Sequence, residues 1–421
     1  MPKTLFGVRD GFDGTAALRS ELKAFREFGK ETRVFASAHP RTGDSATVPV
    51  FVNEFWTSKQ RAASRLHEVS YRACFKPQLP RFFIERLTRR GDPVYDPFMG
   101  RGTTVLEAAL LGRVPLGCDV NPLSRVLVEP RLAPPSLQHV AARLQAIDFA
   151  AEHDFDEHLL VFYHPDTLVE IASLRSYLSA RAASGELDAV DRWIRMVAVN
   201  RLAGHSPGFF SVYTLPPNQA VSVDSQRKIN QKRGQRPPRR VVPELILRKT
   251  KSLLGGHDRA VAKTLAQVAG DARLLTRAAA ATPEIAADSV SLVVTSPPFL
   301  DVVQYAQDNW LRCWFCDIDV AAVEITIARK LGDWSEAMAR VFAELHRVLQ
   351  PGGYVAFEVG EVRGGKIKLE DAVVPCGIEA GLVPELILIN DQQFTKTANC
   401  WGIDNNRKGT NSNRIVLFRK A

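Results

Sequence analysis

The chain has 421 residues, 45% of them hydrophobic and 24% charged, a globular composition that excludes a mostly disordered chain and predicts one large core domain carrying insertions, or two domains. No apolar run reaches the ~18 residues a bilayer-spanning helix needs, since Val105 to Leu111 is cut short by Gly112 and Arg113. Lys and Arg number 55 against 46 Asp and Glu, a net +9, and one segment accounts for that excess: Arg227 to Lys251 holds ten cations and a single anion, Glu244. A local run of this kind fits either a polyanion-binding surface or a solvated loop. Residues Met1 to Gly7 lack a basic stretch followed by a long apolar one, so no secretory signal is read and a cytoplasmic location is expected. Six scattered cysteines are too few for a disulfide framework; Cys313 and Cys316 have CxxC spacing without a second pair at zinc-finger distance, so core packing is expected there and no metal site.

In chain order, residues 1–66 read as a weakly patterned extension with a helix near Ala16 to Phe28 and a short strand at Val48 to Val52. From Gly91 the pattern sharpens. A buried strand, Val94 to Phe98, leads through Met99-Gly100-Arg101-Gly102-Thr103-Thr104 into a helix over Val105 to Leu111, which Gly112 stops. A second strand, Val114 to Cys118, ends in Asp119-Val120-Asn121-Pro122. Strand, glycine turn, helix, strand and acidic residue make the first half of a doubly wound parallel sheet, whose ligand lies beyond the carboxyl ends of the strands. Residues 131–267 form a mainly helical, partly basic insertion, with helices over Asp166 to Ser184 and Asp188 to Leu202. Sheet patterning resumes at Ser291 to Thr295 and runs into Ser296-Pro297-Pro298-Phe299. An amphipathic helix from Trp334 to Leu349, strands at Tyr354 to Val359, Pro384 to Ile389 and Arg414 to Phe418, and a helix at Leu369 to Ala380 complete a seven-strand-sized count.

The turn Gly100-Arg101-Gly102 lets backbone approach a ligand closely, yet a tight strand-to-helix turn alone would look the same. Val105 stands where a dinucleotide fingerprint has its third glycine, and the Gly-Lys-Ser/Thr ending of a phosphate loop is absent. Asp119 ends the next strand, placed to accept from both hydroxyls of a ribose. A nucleoside-bearing ligand without pyrophosphate fits best, and S-adenosylmethionine is one.

Asp96 to Thr104 together with Thr295 to Phe299 resembles the two signature motifs of the amino-group DNA methyltransferases, which make N4-methylcytosine or N6-methyladenine. The resemblance covers most of residues 67–130 and 268–420, so 67–130 with 268–421 is expected to form a Rossmann-like seven-stranded methyltransferase sheet. It implies S-adenosylmethionine as cofactor, double-stranded DNA as partner, and a cognate restriction endonuclease or a stand-alone role. Ala73 to Pro80 resembles the segment that holds the methionine end of the cofactor, and Gly270-Asp271-Ala272-Arg273 the adenine-side contact. By resemblance, the cofactor residues are Phe75, Lys76, Asp96, Phe98, Gly100, Gly102, Thr103, Asp119, Asn121 and Asp271, and the catalytic ones Ser296, Pro297, Pro298 and Phe299. Lys408 to Arg414 also resembles bacterial site-specific methylases. The chain departs from a common order of the family in placing the cofactor motif first, which leaves the target-recognition region to be found.

The chemistry suits these residues. An exocyclic amine is a weak nucleophile because its lone pair is delocalised into the ring, so two acceptors aimed at its protons, Ser296 Oγ and the Pro297 carbonyl, would favour the developing cationic nitrogen. Phe299 would stack on a base swung out of the duplex. Ser rather than Asp at position 296 favours cytosine N4 over adenine N6, by resemblance. Phe209, Phe210 and Tyr213, followed by Arg227, Lys228, Lys232, Arg233, Arg236, Arg239 and Arg240, are expected to contact the extruded base and flanking phosphates. An RNA amine methyltransferase and a catalytically inactive nucleic-acid-binding module are the alternatives.

Overall fold

The computed structural model describes residues 14–41, 44–57, 63–71, 74–151, 154–214, 220–298, 305–323, 328, 330–362, 367–391 and 412–421. Phe299 and residues 408–411 lie outside the described residues. The strands are β1 (Arg33–Arg41), β2 (Asp44–Asn53), β3 (Pro93–Asp96), β4 (Val114–Asp119), β5 (Arg273–Thr276), β6 (Val290–Thr295), β7 (Leu349–Val359), β8 (Glu361–Val362), β9 (Ile367–Lys368), β10 (Leu382–Asp391) and β11 (Ser412–Lys420).

Nine of them form one sheet in the order β1-β2-β10-β11-β7-β6-β3-β4-β5, and β8 pairs with β9 in a separate ribbon. Strands β3 to β7 run parallel, while β11 is antiparallel to both its neighbours, β7 and β10. The expected seven-stranded sheet is therefore β5-β4-β3-β6-β7-β11-β10. The hairpin β1–β2 extends it, with β2 parallel to β10. Sequence patterning gave only part of β2 and none of β1 or β5, because β1 alternates weakly and β5 has just four residues.

Strand β6 is buried at every position, as a central parallel strand covered on both faces must be. One face packs on the helices Leu331–Val348 and Glu370–Glu379, through Val293, Phe357, Phe342 and Leu345. The other packs on the helices Gly14–Ala24 and Gln78–Leu87, through Leu18, Phe82, Phe83, Leu292 and Val294. A third core joins the helices of the insertion to the glycine turn: Phe162, Ile171 and Trp193 lie in one apolar cluster with Met99, Val105, Leu106 and Leu123. The expected boundary at 131 falls inside the helix Pro122–Leu132, so the insertion continues the core of the turn. Cys313 and Cys316 are buried free thiols in that same cluster.

Candidate active site at the switch point of the sheet

Chain order reverses between β3 and β6: β3, β4 and β5 succeed one another outward on one side, β6 and β7 on the other. A crevice opens where the connections diverge, at the carboxyl ends of the strands. The glycine turn leaves the end of β3, and Ser296-Pro297-Pro298 leaves the end of β6. Val94 pairs with Leu292 and Tyr95 with Val293, so the two motifs emerge side by side.

Two buried hydrogen bonds hold them together. Thr295 Oγ1 donates to Asp96 Oδ1 at 2.6 Å, and Thr104 Oγ1 donates to the Val294 carbonyl at 3.0 Å. Asp96 is 1% exposed and also accepts from the Phe98 N–H at 3.1 Å. Burial pushes its carboxyl up to about 7, against the hydrogen bonds from Thr295 and Phe98. The sequence expectation placed Asp96 against the cofactor; in the structure its Oδ1 clamps the two motifs together beneath the turn.

The turn itself requires glycine. Gly100 and Gly102 adopt φ of +48° and +74°, and a Cβ on Gly102 would stand 2.4 Å from Val128 Cγ2. Gly102 caps the helix Thr103–Leu110, whose first N–H groups give the crevice a positive end. Asp119, half-buried at the end of β4, accepts from Gly100 N–H at 2.9 Å on Oδ2 and from Asn121 N–H at 2.8 Å on Oδ1. Burial raises its carboxyl, and these two backbone donors oppose the rise. Each oxygen keeps a second lone pair, which suits a diol. Asn121 is buried and its Oδ1 caps the next helix at Leu123 N–H, 3.0 Å away, so it shapes the corner.

Three residues were missed by the sequence reading. Arg101 donates to the carbonyls of Val69 (3.1 Å) and Phe75 (3.3 Å) and to Thr103 Oγ1 (3.2 Å), tying the segment before the turn to the turn. That segment does lie beside the turn, with Tyr71 against Gly100, Phe75 half-buried and Lys76 exposed. The fully buried Arg131 donates to the carbonyls of Leu66 and Arg101 beneath it. On the other motif, Trp334 Nε1 donates to the Pro298 carbonyl at 2.9 Å, anchoring the turn after β6. Pro297 is buried and Ser296 half-buried. Phe98 is half-buried, and Thr103 is buried in the first turn of its helix.

Two expectations are corrected. Asp271 is exposed at the amino end of β5, whereas Asp119 stands at the carboxyl end of β4. The four residues of β5, at ~3.3 Å each, separate it from the ligand end. The residues that do reach that end are Thr276 and Arg277, whose N–H donates to the Asp119 carbonyl at 3.0 Å. A cavity of ≈ 240 Å³ opens there, lined by Pro122, Val126, Leu187 and Thr276 with Arg125 and Arg195 among others. In the insertion, Phe210 is fully enclosed and Phe209 is 6% exposed beneath Arg201, whose guanidinium carbon lies 4.0 Å from the ring centroid. Neither ring is presented for stacking: Phe210 belongs to the core, and Phe209 is covered by Arg201. Tyr213 is half-buried under Arg233 at 3.9 Å.

The cations divide. Arg227, Lys228, Lys232 and Arg233 project from the exposed helix Val223–Arg233, and Arg236 follows in the open. Arg227 is paired with Asp224 at 2.6 Å. Arg239 is held by Glu170 and Asp166, and Arg240 is half-buried.

Residues 24–124 match a family described as "DNA methylase", the N6/N4 methyltransferases. Over 76 residues the chain is 33% identical to the type II methyltransferase M.MjaII of Methanocaldococcus jannaschii, which is 18% of this chain and 14% of that protein. It is 30% identical over 112 residues to the type II methyltransferase M.MvaI of Kocuria varians, 26% of this chain and 23% of that one. The chain thus aligns with under a quarter of the length of these relatives. Among solved structures, the rRNA methyltransferase aviRa from Streptomyces viridochromogenes overlaps 84% of this chain and 89% of its own at 13% identity, with a TM-score of 0.33. The fold assignment rests on the sheet order itself.

Proposed function

Residues 24–124 carry the sequence of the amino-group DNA methyltransferase family, and from that premise we propose that the chain is an S-adenosylmethionine-dependent DNA methyltransferase acting on cytosine N4. The observation that supports this most is the shared crevice: the glycine turn and Ser296-Pro297-Pro298 leave adjacent strands and are clamped by the Asp96–Thr295 hydrogen bond. The residues fit the cofactor, since Asp119 keeps acceptor capacity on both oxygens and the left-handed turn brings backbone close. When bound, S-adenosylmethionine supplies a methyl already activated by a sulfonium sulfur.

The protein's work is positioning and charge stabilisation. Ser296 Oγ and the Pro297 carbonyl accept from the amine protons of an everted base and hold its lone pair toward the methyl. Trp334 and the Asp96 clamp keep those acceptors in place. The exposed cations of the helix Val223–Arg233 and Arg236 hold DNA phosphates, with the insertion as target-recognition region.

The test incubates purified protein with tritiated S-adenosylmethionine and either duplex DNA or bulk tRNA and rRNA, then digests the labelled product to nucleosides for mass identification. N4-methylcytosine from duplex DNA is expected. Label confined to RNA, or none in either, overturns the proposal, and N6-methyladenine overturns its base assignment.

A further inference from the structure

Strand β7 reads Tyr354-Val355-Ala356-Phe357-Glu358-Val359, an apolar run broken by one carboxylate. Glu358 is 5% exposed. Thr295 pairs with Phe357 in the parallel register of β6 and β7, so Ser296 and Glu358 are the next residues of neighbouring strands. Alternation sets the face. Leu292 and Val294 on β6, Tyr354 and Ala356 on β7, and Ile415 and Leu417 on β11 all pack on one side of the sheet. Ser296, Glu358 and Asn413 continue those three rows on the same side. The groups lie together: Ser296, one residue past the Thr295–Phe357 pair, acts on the Glu358 carboxyl and favours its charged form, and Asn413 Nδ2 donates to Glu358 Oε1 at 2.9 Å. Nothing in the chemistry derived above uses this carboxylate, and a buried one without a cation is costly to keep.

We propose that Glu358 is the positioning residue behind Ser296: it takes the hydroxyl proton, turns the Oγ lone pairs toward the substrate amine, and receives the proton that the amine sheds. The inference rests on the methyl transfer proposed above. As the new C–N bond forms and the S–CH3 bond breaks, its electron pair going to sulfur, the nitrogen carries one proton too many. That proton passes to Ser296 Oγ while the Ser296 hydroxyl proton passes to a Glu358 oxygen, and the glutamic acid later returns it to water. Burial pushes the Glu358 carboxyl up to about 6, with Ser296 and Asn413 opposing the rise, so it is a competent acceptor at neutral pH. Ser296 faces it from β6 and Asn413 from β11, and no charged side chain among the described residues acts on it. The neighbouring Arg414 points to the other face, where it binds Glu370.

Glu358→Gln keeps the shape and the Asn413 contact while removing the proton acceptor. Single-turnover methyl transfer should fall about 100-fold, with calorimetric cofactor affinity and the denaturation midpoint held. In the wild type the rate should fall as pH drops through about 6, where Glu358 becomes protonated, and the variant should lose that acidic limb. A rate within threefold of wild type, or an acidic limb that survives the substitution, overturns the proposal. An arm independent of activity follows the Glu358 carboxyl by infrared titration, assigned by its disappearance in Glu358→Gln. Ser296→Ala should move the midpoint upward, because a stabilising donor is lost, and an unmoved midpoint overturns the pairing. If the wild type methylates no nucleic acid, the proposed function fails on its own and the infrared arm still decides the Ser296–Glu358 pair.

Discussion

The crevice between β3 and β6 and the basic stretch of the insertion are both read as ligand-facing, yet they are built in opposite ways. In the crevice, backbone does the work: left-handed glycines, strand ends and hydrogen bonds between buried groups leave little freedom. In the insertion, the proposed DNA contact falls to long side chains on one exposed helix, and the phenylalanines that precede them are buried. A geometry dictated by backbone tolerates almost no substitution, whereas a charge field tolerates many as long as its sum is kept.

The largest expected effect contrasts a glycine from each region. Gly102→Ala meets both a φ of +74° and a Val128 methyl at 2.4 Å from the new Cβ. The left-handed backbone costs about 1–2 kcal/mol and the overlap about 1–3 kcal/mol more. Gly234, which ends the helix Val223–Arg233 at φ +58°, has nothing within 4 Å, so Gly234→Ala should cost only the backbone share, about 1 kcal/mol. Urea denaturation of both variants measures the gap; equal losses would break the comparison.

Next in size is the clamp. Thr295→Val leaves the buried Asp96 carboxyl short of a donor and should cost about 1–3 kcal/mol. The Asp96 carboxyl sits near 7 when folded, against about 3.9 unfolded. The folded chain therefore holds a proton that the unfolded chain has released, so this group's stabilisation is complete below pH ~4 and is lost as pH rises through 7. Removing the Thr295 hydroxyl, which opposes the rise, makes the deficit larger at pH 8 than at pH 5 in paired urea titrations, and Asp96→Asn flattens the dependence. A deficit that is the same at both pH values would mean that Asp96 is not the partner that matters.

The smallest expected change in stability comes from the exposed cations. Lys228→Glu, Lys232→Glu and Arg236→Glu together should shift stability by less than about 0.5 kcal/mol each while lowering the slope of log affinity against log salt by about 2–3. Arg239→Ala should do the reverse, weakening the fold through its lost partner Glu170 and leaving the salt slope alone. A triple variant with an unchanged slope moves the DNA surface elsewhere.

These contrasts also explain what was legible beforehand. Glycine turns, continuous apolar strands and Ser-Pro-Pro after a strand are local statements about backbone, and the structure places each where the pattern put it. Asp271 was misplaced because its neighbourhood resembles a motif while β5 is too short to announce its direction. Phe209 and Phe210 were misread because an aromatic in a loop looks the same whether its partner is a base, a neighbouring guanidinium or a core. Glu358, Arg101 and Trp334 each act across strands or loops distant in sequence, a relation that register and packing create.

The hairpin at the sheet margin carries a practical consequence. Phe51 enters one apolar layer while Val48, Val50 and Val52 enter the other, and Asn390 Oδ1 accepts from the amides of Phe55 (2.7 Å) and Trp56 (3.2 Å) just beyond. A shortened version starting after residue 66, however intact its chemistry, would bare the long greasy rim of β10 and strand a buried amide without donors. Trimming to the recognisable motifs would yield a sticky, self-associating fragment, so the stretch that says least about chemistry is the one that keeps the molecule handleable.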